Sequence, residues 1–162
     1  MKKLSYLLAI VALSWLASCT KDIDAGGTTA QSMTNEWWAR LLYQGQDLTG
    51  YLKYATYNGS NNNDSIWVDD FGGGYGFKVK AKYDLSSASF STGGSPNEYY
   101  NGTAAFPASA KIIDGKVLPG AAKSTTGVKT DSIYFKIIFS DSPTDTFVVA
   151  GYARTNWAGD DH

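Results

Sequence analysis

Between residues 75 and 84 the side chains alternate without a break. Tyr75, Phe77, Val79, Ala81 and Tyr83 fall on one side, and Gly76, Lys78, Lys80, Lys82 and Asp84 fall on the other. Successive side chains of an extended chain point to opposite faces, so a period of two sorts them into two rows. A helix would scatter the three lysines around its circumference. A strand lays them in one wetted row and turns the other row toward a dry interior.

The same pattern recurs twice near the end of the chain. Over residues 131–140, Ile133, Phe135, Ile137 and Phe139 alternate with Ser132, Tyr134, Lys136 and Ile138; over 146–154, Phe147, Val149, Gly151 and Ala153 share a face. Asp141-Ser142-Pro143-Thr144-Asp145 between them has turn chemistry, so the two segments are expected to pair as an antiparallel hairpin. Strand-like segments also occupy 49–57 and 65–71, separated by the polar loop 58–64, and Gly72-Gly73-Gly74 turns the chain into residue 75. Residues 35–43 fit a first strand or a short helix. Weaker strands are expected at 98–105, 109–114 and 116–118. Tyrosine-rich, leucine-poor composition agrees with strands. Roughly eight short strands with tight turns and no long helix predict an all-β, antiparallel up-and-down barrel, a size that encloses one small ligand or fills with its own side chains.

The start of the chain reads as a separate instruction. Lys2 and Lys3 precede an apolar run from Leu4 to Leu16, too short to span a bilayer and bounded like a secretory signal peptide. It ends in Leu16-Ala17-Ser18-Cys19, the pattern of a bacterial lipobox. Cys19 is the one cysteine of the chain, so no internal disulfide forms, and acylation explains a lone thiol in an exported protein. The expected organisation is a signal peptide over 1–18, a Gly/Thr/Ser-rich tether over 19–34 from a lipidated Cys19, and one barrel domain over 35–162. Acyl chains on Cys19 would make the membrane the first partner, with the outer membrane as the expected location.

With Lys2 and Lys3 removed, 12 basic residues face 15 acidic ones, and Arg40 and Arg154 are the only arginines. That balance argues against nucleic acid as a partner.

Four motifs accompany the lipobox: Glu36-Trp37-Trp38; Asn63-Asp64-Ser65-Ile66-Trp67-Val68-Asp69; Asp131-Ser132-Ile133; and Gly151-Tyr152-Ala153-Arg154-Thr155-Asn156-Trp157 with Asp160. Together they resemble the Bacteroidetes lipoproteins called lipid-binding putative hydrolases, over most of the mature chain. The resemblance implies a calycin-like barrel and an apolar ligand. Lys21-Asp22 with Asp24 resembles the surface-export signals of such lipoproteins, which leaves the cell surface and the periplasmic face both open. Asp64-Ser65-Ile66 and Asp131-Ser132-Ile133 also resemble their O-glycosylation sites, with Ser65 and Ser132 as acceptors.

The word hydrolase finds little in the inventory. Nucleophilic catalysis by Ser or Cys needs a positioned base. The one histidine is His162, expected in a frayed segment, and the one thiol is Cys19. Asp69 and Asp70 are adjacent on a strand and point to opposite faces, so they do not form a glycosidase pair. No catalytic residue, metal ligand set or cofactor is implied. A binding role draws instead on Tyr75, Phe77, Tyr83, Phe135 and Phe147 as inward residues, which either line a cavity or fill a core. Arg154 and Trp157 stand at the end of the last strand as an anchor for a ligand carboxylate and a stacking ring. The expected function is non-catalytic binding of a lipid-like molecule. The alternatives are a weak hydrolase, and a glycan-binding or scaffolding component of a surface uptake complex that would expose Trp37 and Trp157.

Overall fold

The computed structural model describes residues 27–60 and 64–162; the expected signal peptide over 1–18, Cys19 and the first part of the expected tether lie outside the described residues. Among the described residues nine strands run in chain order: β1 (Asn35–Tyr43), β2 (Gln46–Asp47), β3 (Leu52–Asn58), β4 (Ser65–Asp69), β5 (Lys78–Asp84), β6 (Ser89–Pro96), β7 (Ser109–Lys123), β8 (Lys129–Phe139) and β9 (Ser142–Ala153). Among the described residues there is no α-helix, and residues 35–43 resolve as a strand. Every neighbour pairs antiparallel, and β1 also pairs with β9 from Trp37↔Ala153 to Tyr43↔Phe147, closing an eight-stranded barrel. The short β2 continues the edge of β3 along β1, pairing Leu42↔Asp47 and Tyr43↔Gln46.

The alternation that marked the strands places the core. Phe77, Val79 and Ala81 of the β5 segment, and Ile133, Phe135, Ile137 and Phe139 of β8, are buried inside the wall. Lys80 and Lys82 stand outside it. The interior side of β1 carries Trp37, Ala39 and Leu41, all buried. At the end where β1 begins, a single 3-10 turn (Gln31–Met33) brings Ala30 and Met33 into the core, and the Thr56 hydroxyl donates to the Met33 carbonyl at 2.7 Å. The last residues of the segment read as tether therefore pack on the barrel.

Three expectations need correction. Residues 98–105 form no strand; the strand is β6, and its Phe90 is its one buried apolar side chain. The two weak strands at 109–118 are one, β7, whose register with β8 shifts between Ile113 and Lys116 and again between Leu118 and Ala122. The turn between β8 and β9 is shorter than its composition suggested, since Phe139 already faces Ser142 and Pro143 lies in β9. Gly151 makes the closure possible: a Cβ there would lie 2.1 Å from the Trp38 carbonyl oxygen of β1.

Candidate functional site

The interior is filled by rings. Tyr75 lies flat on Phe139 with centroids 3.8 Å apart and planes 7° apart, and Phe147 flanks both at 5.3 and 5.5 Å. Phe77 continues the cluster to Phe139 and to Phe135, which meets Phe90 edge-on at 5.6 Å. Phe77, Phe135 and Phe139 have no exposed surface. Four of the candidate residues, Tyr75, Phe77, Phe135 and Phe147, thus form one connected apolar cluster. Of the two open readings, cavity or core, the structure shows a packed core. Offset and edge-to-face rings add about 0.5–1.5 kcal/mol per pair beyond burial.

Tyr75 differs from the rest of the cluster. It precedes β5 in the loop from Asp70, is half-buried, and its hydroxyl donates to Asp141 at 3.4 Å. The loop is gripped from below by Asp70. That carboxylate accepts the Gly72 amide at 2.9 Å, the Gly76 amide at 2.7 Å and the Phe77 amide at 2.8 Å. Burial pushes the Asp70 carboxyl above its usual range, against the pull of those three amides. Beside it the Tyr54 hydroxyl is buried without a hydrogen-bond partner, and burial followed by the charge of Asp70 pushes it up. Asp69 turns the other way, as expected, and accepts the Tyr57 and Tyr99 hydroxyls at 2.8 and 2.7 Å. Next to Tyr75, Tyr100, Phe106, Pro107 and Asp141 frame a recess of about 400 Å³ at the barrel mouth.

The other candidates lie elsewhere. Tyr83 is half-buried toward the opposite end, its hydroxyl 2.8 Å from that of Thr29. Arg154 packs outside the wall: its guanidinium binds Glu36 and Asp161 and lies 5.2 Å over the Trp38 ring. Asp161 and Glu36 thus hold the cation that was offered to a ligand carboxylate. Trp157 is 68% exposed, whereas Trp37 is buried in the core. The Ser132 hydroxyl donates to the Gly151 carbonyl at 3.1 Å.

His162 is not frayed. Its ring stacks on Tyr51 at 4.4 Å, its Nε2 lies 2.5 Å from the Tyr152 hydroxyl, and the Thr125 hydroxyl is 3.3 Å away. Asp160 fastens this segment by accepting the Thr126 amide at 2.7 Å and the Thr155 hydroxyl at 2.6 Å. Burial works against its charge, but the Thr155 hydroxyl and Thr126 amide outweigh it and hold the carboxyl at about 2. A folded value below the unfolded one, about 4, contributes stability above pH 4 that is lost as pH falls toward 2. Denaturation across that range is expected to show falling stability in the native chain and a shallower fall in Asp160→Asn; identical slopes would remove Asp160 from the account.

Sequence reasoning missed Asp70 as the organiser of the mouth. Its signal was present in Asp70 preceding Gly72, the spacing at which an aspartate accepts a backbone amide two residues on.

A closed antiparallel wall around an aromatic interior defines a small β-barrel, a size that its own side chains fill or that holds one small ligand. The chain belongs to the lipid-binding putative hydrolase family, whose model matches residues 22–158. No curated protein matches it.

Proposed function

We propose that the protein is an outer-membrane lipoprotein, anchored through acyl chains on Cys19, whose barrel binds a lipid-like molecule without transforming it. The observation that carries the reading is the aromatic cluster under Tyr75 in a chain of a lipid-binding family. Because the cluster is packed, a ligand must displace a ring. Tyr75 is the one with least to lose, since it is half-buried, lies outside the strands and opens beside the mouth recess. Its departure exposes Phe139 and Phe147, an apolar floor for an acyl chain.

The test uses native protein and a Tyr75→Ala variant. Organic extraction and mass spectrometry are expected to return a chain beginning at an acylated Cys19 and a separate co-purified lipid. Tyr75→Ala is expected to bind a fluorescent fatty-acid probe about threefold to tenfold more tightly, the gain of an opened site over a closed one. No co-purified lipid, together with no change in probe binding, would sink the reading.

A hydrolase reading rests on one observation, the Thr125 hydroxyl within reach of His162 Nε2. The same nitrogen faces Tyr152 more closely, and among the described residues no carboxylate holds the other ring nitrogen. Ester turnover abolished by Thr125→Ala would favour it.

A further inference from the structure

Of the seams that close the barrel wall, the one between β5 and β6 has the shortest backbone ladder. Their backbones pair only at Lys82↔Ser91, Tyr83↔Phe90 and Asp84↔Ser89. Toward the mouth the seam is bridged by one backbone bond, from the Glu98 amide to the Lys78 carbonyl at 3.0 Å, and otherwise by side chains. The Lys80 amide donates to Ser95 Oγ at 3.1 Å and the Lys78 amide to Asn97 Oδ1 at 2.9 Å. The register of β6 against β7 breaks twice here, between Phe90 and Thr92 and between Thr92 and Ser95, and Gly93 and Gly94 lie within the second break. Outside this seam lies a recess of about 450 Å³ walled by Lys80, Lys82, Asp64 and the hydroxyl residues Ser91, Thr92 and Ser95.

The charges in the recess are not balanced. Lys82 meets Asp64 at 3.4 Å, but both side chains are largely exposed, so the pair contributes little. Lys80 has no carboxylate partner among the described residues; its ammonium lies 4.7 Å over the Trp67 ring. Across the seam β6 presents hydroxyls and glycines where an acidic residue would have paired the lysines. Two lysines that line one recess with hydroxyl residues suit a compact, multiply charged oxyanion. Immediately inside the same stretch of wall are Val79 and Ala81, with Phe77 one residue before β5.

We propose that this recess is an anion site that takes the phosphate group of an amphiphilic ligand, with the apolar part passing through the β5–β6 seam toward Phe77. The ligand half of this inference rests on the lipid-binding reading above; the anion half stands on the recess alone.

Amide shifts in NMR spectra separate the two. The full barrel domain is titrated with inorganic phosphate, with dihexanoyl phosphatidic acid and with dihexanoylglycerol, each lipid below its micellar concentration. Phosphate and phosphatidic acid are expected to move the amides of residues 80–82 and 91–95. Phosphatidic acid alone of those two also moves Phe77 and Phe139. A Lys80→Ser/Lys82→Ser double variant is expected to weaken phosphatidic acid about tenfold, with Lys111→Ser as an exposed control that leaves it unchanged. The effect is expected to shrink as salt is raised toward about 0.5 M. If the two lipids shift Phe77 and Phe139 equally and the recess stays silent, the anion site is overturned and lipid binding survives. If only inorganic phosphate shifts the recess, the anion site stands and the amphiphile is overturned. Silence with all three overturns both.

Discussion

Replacing Phe135 with alanine is expected to remove about 3–5 kcal/mol of stability, the cost of emptying a fully buried aromatic site that cannot collapse. Phe135 has no exposed surface and contacts Phe77 on one side and Phe90 on the other. Those neighbours come from the β5 segment and from β6, with Phe135 itself on β8. The cavity therefore opens where three parts of the wall lean on one ring, and no single strand can move in to fill it. Against a total of about 5–15 kcal/mol for a domain of this kind, the variant sits at the margin of folding. Urea denaturation measures it: the midpoint falls while the slope stays constant, because the surface exposed on unfolding hardly changes. Trp157→Ala, at a 68% exposed position, is the control and should stay within about 0.5 kcal/mol of the native chain. A cost below about 1 kcal/mol at Phe135 would mean that the interior is not the solid core described above.

The second large effect is at Asp70. In Asp70→Ala the amides of Gly72, Gly76 and Phe77 lose their acceptor together. Two of these bonds are buried, where water does not replace the missing oxygen. At about 1–3 kcal/mol for each buried donor left unsatisfied, a loss of about 3–5 kcal/mol is expected. Asp70→Asn keeps one carbonyl oxygen and should fall between the variant and the native chain. The loss also has an address. Gly76 and Phe77 follow Tyr75 directly, so releasing their amides unfastens the Tyr75 loop from its base. Hydrogen exchange at those two amides is expected to accelerate in Asp70→Ala, well beyond any change at Ile133 or Phe135 of β8. Equal protection before and after the substitution would show that the loop is held by something other than the carboxylate.

How much of this was legible depended on how each strand meets water. The segments at 75–84 and 131–154 have one dry and one wet face, so their period of two survives in the residue types, and strands follow over 78–84, 129–139 and 142–153, although 75–77 belong to the loop before the first of these. β6 carries no such record. In Ser89-Phe90-Ser91-Thr92-Gly93-Gly94-Ser95-Pro96 only Phe90 reaches the core, and the register breaks around Thr92 leave the others facing solvent or the seam. Tyr99 and Tyr100 fell in the weak strand expected over 98–105. In the fold Tyr99 instead sends its hydroxyl to Asp69 from a loop, and Tyr100 is exposed. The aromatic cluster was half legible: the inward positions of Phe77, Phe135 and Phe147 followed from alternation, but whether they met in the middle depended on the barrel's diameter. Arg154 could be placed at the end of β9 but not paired, since Glu36 lies 118 residues away and is brought near only by closure of β1 on β9.

That closure has a consequence for how the wall is made. Its final seam joins the earliest strand in the chain to the latest, so the two bare edges of β1 and β8 persist until β9 arrives to cover both. Pairings of such long sequence separation are slow to form, and uncovered edges invite strands from other molecules. The ring therefore cannot close until residues 142–153 are in place. A clip within those residues would undo the ring at two places at once.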